Sequence, residues 1–457
     1  MHFKRINLFI RSLLLLALCA PMRSTAAQAQ PIDLALAHQY FQEAQAICTR
    51  DEGRLWGVSL CGPMLLVEPE TRTVVANQPD ARGLLSKQGE VFVGHWPETE
   101  NIANTAVTWA GAKWTMILWP LPTDVLDRRR LMMHELFHRV QDELKFALSN
   151  PSNDHLDTRD GRLWLQLEWR SLRAALTSTG ARRQQAITDA LAFRAYRRSL
   201  FPQSDVSERA LEMNEGLAEY TGVRLSAESE AQAIAYAERE IERANARPTF
   251  VRSFAYVSGP AYGILLDATG ANWRKGLTAQ ADLGVLLAQA AQIKVPAALK
   301  ELAARRGEEY DGRELRAAED ARERARAARL TAYRARLVTG PTLVLPLTEQ
   351  VQYSFNPNNL VPLEGLGTVY PTLRVSDAWG ILEVSNGALM ARDGRAVSKV
   401  YVAAPTDAQT RPLKGDGWTL QLNDGWRVAP AERKGDFVLQ KTSAPQQQDI
   451  ILLPAHR

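Results

Sequence analysis

The sequence is poor in cysteine, in histidine and in long apolar runs. Three cysteines and seven histidines occur in 457 residues. Beyond the N-terminal segment, no stretch approaches the roughly 20 apolar residues that a membrane-spanning helix needs. No internal repeat is visible. These absences exclude later membrane spans and repeat architectures, and the hydrophobic content of 46% is ample for two or three globular cores.

The first residues have the character of a secretory signal peptide. Lys4, Arg5 and Arg11 form a basic segment, residues 12–20 are apolar, and residues 27–29 (Ala-Gln-Ala) are a typical cleavage site. The apolar run is too short for a stable membrane span. The sequence therefore predicts a secreted or periplasmic protein with no membrane span in the mature chain.

The charge balance gives no reason to propose nucleic-acid binding. The formal net charge is +4, but the predicted signal segment carries four basic residues and no acidic one. Its removal leaves 51 basic residues against 51 acidic residues. A mature chain with no net charge does not indicate a nucleic-acid partner, and the oligomeric state stays unknown at this stage.

Two cysteines, Cys48 and Cys61, remain after the predicted cleavage. An even pair of cysteines in an exported chain favours a disulfide that closes a short loop. The alternative is two buried thiols, since spacing in the sequence does not fix the geometry that a disulfide requires.

The stretch LMMHELFHRVQ (residues 131–141) places two histidines in apolar surroundings. Cap-type residues and flanking prolines predict a buried helix over residues 123–150. His134 and His138 are four positions apart, so both rings project from one face and can hold one metal ion. Glu135 lies about 100° further round the helix, where it can reach a water molecule on that ion. The alternative is a pair of core histidines.

A third ligand is expected because a catalytic zinc site has three protein ligands and one open position. The stretch SDVSERALEMNEGLAEYTG begins with an apparent capping box of Asp205 and Glu208, which predicts a helix. Gly216 within this helix indicates the close approach of another backbone. The alternative for the acidic stripe is a solvated face, and for Glu208 we favour that alternative. The stripe consists of Glu208, Glu212, Glu215 and Glu219.

The motif HELFH followed by NEGLAEY resembles the gluzincin zinc metallopeptidases, whose third ligand is a helical Glu in an N-E motif. The resemblance implies a peptide or protein substrate and Zn²⁺ as the cofactor. Carried over to this chain, it gives His134, His138 and Glu215 as the zinc ligands. The two motifs cover about a dozen of the 457 residues.

The resemblance also implies roles for neighbouring residues. Glu135 matches the general base, which takes a proton from water and passes it to the leaving amine. Glu219 matches an acidic residue that accepts a hydrogen bond from a ligand histidine, and Asn214 is the asparagine of the N-E motif, placed beside the ligands.

Two points leave alternatives open. The segment between the histidine pair and the N-E motif is longer than in the familiar gluzincins, so Glu212 or Glu219 is an alternative third ligand. Tyr256 (in YVSG) and His155 (in NDHLD) are candidates for stabilising the oxyanion. For each of these two residues a structural role is the alternative.

The order of predicted elements indicates an α+β fold. It comprises a zincin-like catalytic domain, with a mixed sheet and a helical subdomain, and a small C-terminal β domain. A predicted hairpin leads into the metal helix; in the resembled family such an edge strand pairs with the substrate, and an ordinary core hairpin is the alternative. The predicted segments are 1–29 (signal peptide), 30–122 (β-rich part of the catalytic domain), 123–295 (helical zinc-site part), 296–340 (charged helical spacer) and 341–457 (β domain).

The sequence thus predicts an exported zinc metallopeptidase. Two other classes stay open, namely a zinc hydrolase acting on a non-peptide amide such as cell-wall material, and a non-catalytic binding protein. A binding protein is disfavoured because an inert scaffold has no need of Glu135 beside two histidines.

Signal cleavage is directly testable. Protein exported from a bacterial host that carries the full chain should begin at Gln30 or within a few residues of it, because cleavage follows the Ala-Gln-Ala sequence. N-terminal sequencing measures this, and exported protein that begins at Met1 would remove the assignment.

Overall fold

The computed structural model describes residues 31–97, 100, 102–146, 149–348, 351–356, 359–393 and 396–442. The predicted signal peptide therefore lies outside the described residues. The described chain is a mixture of helices and three mostly antiparallel sheets, so the α+β expectation is confirmed. Among these residues no helix has both the length and the apolar character required to cross a membrane.

The helices have the following bounds in the described chain. The α-helices are α1 Leu34–Asp51, α2 Val125–Val140, α3 Arg159–Leu176, α4 Gly180–Leu200, α5 Ser204–Leu211, α6 Leu217–Ser226, α7 Glu230–Ala244, α8 Ser253–Ala268, α9 Leu283–Ala290, α10 Leu299–Gly307 and α11 Gly312–Arg334. Short 3₁₀ turns occur at Asp154–Asp157 and Glu308–Tyr310, and π-helical turns at Glu212–Gly216 and Ala335–Thr339.

The strands fall into an N-terminal and a C-terminal group. The N-terminal strands are β1 Met64–Val67, β2 Thr73–Ala76, β3 Ser86–Gln88, β4 Val91–His95, β5 Thr105–Trp109 and β6 Ala112–Leu118. The C-terminal strands are β7 Thr342–Pro346, β8 Gln352–Phe355, β9 Val361–Leu363, β10 Gly367–Tyr370, β11 Leu373–Asp377, β12 Gly380–Val384, β13 Ala388–Asp393, β14 Ala396–Ala403, β15 Leu413–Gly415, β16 Trp418–Leu422, β17 Trp426–Pro430 and β18 Phe437–Lys441.

The chain divides into two compact units, of which the first runs to Gln45 and continues over Gly62–Thr123. Its six-stranded sheet has the order β3-β4-β2-β1-β6-β5. The predicted hairpin is present as β5 and β6, with β5 at an edge. The local sequence predicts the turn at residues 111–113, but Ala110 and Gly111 form it. Both adopt positive φ, as a two-residue hairpin turn requires. The next two residues therefore belong to β6 rather than to the turn.

The second unit holds Ala46–Cys61 and the chain from Asp124 onward. Its helix α2 is shorter than the predicted 123–150. The Phe146 amide donates to the Gln141 carbonyl at 3.0 Å, and Lys145 has a φ of 61°, which together form a Schellman-type helix end. This helix end could not be recognised in the sequence, because a lysine occupies the left-handed position where glycine is usual.

Within this unit a disulfide joins Cys48 and Cys61, as predicted. The loop that it closes packs against α2. Arg139 donates to the carbonyl oxygens of the last two residues of the loop at 3.1 and 2.9 Å. Trp56 packs on Phe137 with ring centroids 5.3 Å apart. The loop therefore braces the helix that carries the two histidines.

Glycines set the spacing of the helices around α6. A Cβ atom at Gly222 would lie 2.6 Å from the carbonyl oxygen of Arg130 in α2. One at Gly259 in α8 would lie 2.3 Å from the carbonyl oxygen of Gly216. Both positions therefore need glycine. A backbone does approach at Gly216, but it is that of α8, whereas α2 approaches α6 at Gly222.

The segment predicted as a charged spacer, 296–340, packs against the helical layer. Ala303 of α10 and Leu315 of α11 are buried in a cluster with side chains of α3 and α4. Glu319 is also buried, and Arg162 of α3 donates to it at 3.1 Å. These helices therefore bury a narrow stripe of residues, which could not be recognised in the sequence among so many charged residues.

Strands β7–β18 form two sheets around a shared core. The orders are β17-β18-β7-β14-β13-β10-β9 and β15-β16-β12-β11-β8, and β18 with β7 is the parallel pair. Inward side chains of both sheets meet in one cluster, which includes Val375, Leu382 and Val400. These strands lie within the range 341–457, where the sequence predicts a β domain.

Three arginines of α4 lie in a buried cluster of charges. Arg197 donates twice to Glu208 at 2.9 Å, and Arg198 donates to it at 2.7 Å. Glu208 is fully buried, so the solvated position predicted for it is wrong. It forms no capping box with Asp205 either, since α5 begins at Ser204. The cluster consists of Glu168, Arg194, Arg197, Arg198, Glu208, Glu212 and Asp282.

Stability should depend strongly on Glu208. Burial alone raises the pKa of this carboxyl, but Arg197, His155 and Arg198 hold the pKa well below its ordinary value. Glu208→Gln should cost about 3–5 kcal/mol at neutral pH, because it leaves buried guanidinium groups uncompensated. The ionised carboxylate stabilises the fold above the ordinary pKa of 4.5 and loses this effect as the pH falls toward the folded-state pKa.

Denaturant unfolding at several pH values measures this difference, which should shrink below pH ~4.5. The control is Glu323→Gln, which removes a half-exposed pair with Arg326 and should cost about 0–1 kcal/mol. Equal effects for the two variants would contradict the structural importance of the cluster.

Candidate metal centre

One face of α2 carries a row of polar side chains. Arg130, His134 and His138 follow one another at intervals of four residues, and Gln141 comes three residues later. Residues at these intervals lie above one another on a helix. His134 and His138 are both buried, so this row faces the interior of the second unit.

Three buried donor atoms converge at this row. The Nε2 atoms of His134 and His138 are 3.1 Å apart. Glu215 Oε2 lies 3.5 Å from the first nitrogen and 3.6 Å from the second. Among the described residues, this is the group of histidine and acidic side chains that could hold a metal ion.

Glu215 reaches the histidines from the π-helical turn Glu212–Gly216. Bonding from i to i+5 widens the turn and alters the direction in which its side chains project. Within this turn Glu212 binds Arg194 at 2.9 Å, whereas Glu215 faces the two imidazoles. Single turns of this kind are frequent at functional sites.

His134 is oriented by a carboxylate. Its Nδ1 atom donates to Glu219 Oε2 at 2.8 Å. Glu219 also accepts two bonds from Arg130 at 3.0 and 2.8 Å, and one from the Tyr236 hydroxyl at 2.8 Å. Glu219 therefore fixes the orientation of the His134 ring and leaves His134 Nε2 directed at the other donors.

His138 is oriented by an amide. Its Nδ1 atom donates to Gln141 Oε1 at 2.8 Å, and Gln141 Nε2 donates to Asn214 Oδ1 at 2.9 Å. Asn214 in turn donates to the carbonyl oxygen of Ser149 at 3.1 Å. Asn214 therefore supports the histidine indirectly, through Gln141, and couples the π-helical turn to the end of α2.

Hydrogen bonds set the charges of these groups. Burial lowers the pKa of His134, but its bonds to Glu215 and Glu219 outweigh burial and raise the pKa to about 10. Burial raises the pKa of Glu219, yet Arg130 and His134 hold it at about 2. Bonds to both histidines hold the pKa of Glu215 far below its ordinary value despite burial. Metal binding would therefore displace a proton from His134.

Glu135 differs from the other buried acids. It is buried next to His134, with Oε1 4.0 Å from His134 Nε2. Its Oε2 atom is also buried but has no hydrogen-bond partner among the described residues. Burial raises the pKa of this carboxyl. An unpartnered buried carboxylate oxygen beside a metal-binding group is placed to contact a water molecule or a substrate.

The two candidates for the oxyanion partner lie in different places. Tyr256 stacks on the His134 ring, with centroids 5.5 Å apart. Its hydroxyl donates to Glu215 Oε2 at 2.5 Å, and burial raises its pKa above the ordinary value. His155 instead contacts Glu208 at 2.9 Å, within the arginine cluster, so the structural alternative describes it better.

Sequence reasoning missed four contributors, and for two of them a signal was present. Arg130 and Gln141 share the helical row of His134 and His138, so the spacing alone pointed to them. Tyr236 and Arg252 lie on α7 and at the start of α8, far from the motif in sequence, and no local pattern marked them.

Comparison with known proteins found no matching family model, no similar curated protein and no similar solved structure.

Metal binding should follow the donor geometry. His134→Ala and His138→Ala should each abolish stoichiometric metal, and Glu215→Gln should weaken binding far more than Glu212→Gln. Glu219→Gln should cost roughly 10–100-fold in affinity, as is usual for a residue that orients a ligand.

Titration of chelator-treated protein with Zn²⁺, followed by elemental analysis, measures these effects. Circular dichroism of each variant establishes that it is folded. If Glu212→Gln or Glu219→Gln has a larger effect than Glu215→Gln, the assignment of the third ligand is wrong.

Proposed function

We propose that this protein is an exported, zinc-dependent peptidase of the gluzincin type, with a zincin-like catalytic domain built around α2 and α6. The observation that carries the proposal is the Glu135 carboxylate beside three convergent donor atoms: its Oε1 atom lies 4.0 Å from His134 Nε2, and its buried Oε2 atom has no hydrogen-bond partner among the described residues. A general base needs this combination of a free oxygen and a position next to the reacting water.

The donor set fits zinc. Ligand distances of about 2.0–2.1 Å in a tetrahedral site imply donor–donor separations of roughly 3.3 Å. The separations here are 3.1, 3.5 and 3.6 Å. Two imidazoles and one carboxylate are also a donor set known from zinc peptidases, in which one coordination position stays open. These distances support zinc as the ion that His134, His138 and Glu215 would hold.

When bound, zinc would supply Lewis-acid chemistry, polarising a carbonyl oxygen and lowering the pKa of water to roughly 7. The protein side chains perform the proton transfers. Glu135 Oε2 would accept a proton from the attacking water and deliver it to the leaving amine. Tyr256 is protonated at neutral pH, and its hydroxyl donates to Glu215 Oε2 in this structure. It would turn from Glu215 to the carbonyl oxygen as that oxygen gains negative charge.

Two other classes remain as alternatives to a peptidase, namely a metal-stabilised binding protein and a hydrolase of a non-peptide amide. A structural zinc site is closed by four protein ligands, whereas the described residues supply three donors here. That difference favours an enzyme over a metal-stabilised binding protein. A hydrolase of a non-peptide amide would use the same side chains, so it differs from a peptidase in substrate alone.

Replacing Glu135 separates catalysis from metal binding. Glu135→Gln keeps the shape of the side chain but has no basic oxygen at neutral pH. Zinc stoichiometry and melting temperature should therefore stay near the parent values. Cleavage of a mixed peptide library should fall by about 10²–10⁴-fold, the usual effect of losing a general base.

The measurement is zinc content, thermal midpoint and cleavage rate in one buffer, with and without chelator. The control is Glu143→Gln, which changes an exposed carboxylate just beyond the end of α2 and should leave all three unchanged. Parent-like cleavage by Glu135→Gln would exclude this residue as the base. Hydrolysis of cell-wall amides but no peptides would favour the alternative substrate class.

A further inference from the structure

Two arginines contact the carboxylates of the candidate metal centre, and they differ in the number of bonds to these carboxylates and in exposure to solvent. Arg130 forms two bonds to Glu219 and has a side chain that is 17% exposed. Arg252 forms one ion pair, from Nη2 to Glu215 Oε1 at 3.1 Å, and has a side chain that is 54% exposed. Arg252 is therefore the cation of this centre that solvent and substrate can reach.

The position of Arg252 is fixed by its neighbours. It immediately precedes α8, and Tyr256 follows one turn later. The two residues bind opposite oxygens of the same carboxylate, Arg252 at Oε1 and Tyr256 at Oε2. The Glu215 carboxylate therefore lies between the Arg252 guanidinium group and the two histidines of the metal-binding group.

The charge balance favours an anion at this place. The carboxylates of Glu135, Glu215 and Glu219 carry at most three negative charges, and Arg130 with Arg252 carries two positive charges. With a bound divalent ion, the net charge of these five side chains and the ion would be positive. A guanidinium group presents several N–H donors in a planar fork that suits a carboxylate, and the bonds of Arg252 to Glu215 and to the Tyr256 hydroxyl do not use all of them.

We propose that Arg252 selects peptide substrates that carry a carboxylate next to the bond that is cleaved. This inference rests on the proposed peptidase function and gives its substrate class. The carboxylate is either the α-carboxylate of a C-terminal residue or the side chain of Asp or Glu. Arg252 binds it through the N–H groups that face solvent while Nη2 stays on Glu215.

Paired substrates test the proposal on the zinc-loaded mature protein. One pair consists of a peptide with a free C-terminus and its C-terminal amide. The other consists of an end-blocked peptide with Glu beside the cleaved bond and the same peptide with Gln. In the parent protein one of the acidic members should be cleaved with a kcat/KM at least about 10-fold above its neutral counterpart, the usual effect of one charged hydrogen-bonded pair.

Arg252→Gln should reduce this ratio to near one, mainly through KM. The matched control is Arg243→Gln, because Arg243 is also an exposed arginine paired with a glutamate but with Glu240 instead of a metal-binding residue. It should keep the parent ratio. Cleavage by the parent without preference for the acidic member of either pair would overturn the inference and leave the peptidase proposal standing.

A binding measurement makes the inference independent of turnover. Calorimetric titration of zinc-loaded Glu135→Gln with the same peptide pairs should show the same preference, and Glu135→Gln combined with Arg252→Gln should lose it. Zinc affinity should fall less in Arg252→Gln than in Glu219→Gln, because Arg252 binds Oε1 of Glu215 whereas Oε2 faces the histidines. A large loss of zinc would instead make Arg252 a residue that positions Glu215, and the inference would be overturned.

Discussion

Burying a carboxylate requires a partner for it, and this requirement organises the helical part of the second unit. The four glutamates of the stripe Glu208–Glu219 are all buried, yet they have different partners. The first two bind the arginines of α4. Glu215 and Glu219 face the imidazoles of α2. Each acid is thereby assigned either to the stability of the fold or to the candidate metal centre.

The π-helical turn Glu212–Gly216 explains why Glu212 and Glu215 have different partners. Glu212 and Glu215 are three residues apart, and in a regular α-helix they would lie on adjoining parts of one face. The wider turn separates their directions, so that a guanidinium serves one and two imidazoles the other. The close contact of Gly216 with Gly259 in α8 fixes the turn in place. A larger residue at position 259 would displace the backbone that carries the third donor, because its Cβ atom would lie 2.3 Å from the carbonyl oxygen of Gly216.

Support for the two histidines is unequal. A carboxylate that is itself fixed by Arg130 and Tyr236 holds His134. A neutral amide holds His138. A carboxylate partner raises the basicity of an imidazole more than an amide does, so His134 is the stronger donor of the pair. The same carboxylate helps to raise the pKa of His134, so a metal that binds there must displace a proton.

Local patterns in the sequence predicted the α+β class and a group of candidate donor residues. The spacing of HELFH predicted one helical face with two imidazoles, and NEG placed Glu215 on a nearby helix. The sequence could not show which of four glutamates, spaced at intervals of four, three and four residues, each partner would take, because the arginines of α4 lie earlier in the chain and carry no motif. It also misjudged the end of α2 and the solvation of Glu208, since both depend on contacts formed only in the folded chain.

The side chains around the centre differ in what they leave unsatisfied, and this distinction bears on function. A site evolved only to stabilise the fold gains nothing from an unpaired buried oxygen, which costs about 1–3 kcal/mol. Glu135 Oε2 is such an oxygen, and it lies beside the donors instead of in the arginine cluster, where a partner was within reach for other acids. Arg252 adds an exposed guanidinium next to the same donors. The proposed peptidase reaction would use both an unpaired carboxylate oxygen and an exposed guanidinium group beside the donor atoms, whereas a structural metal would use neither.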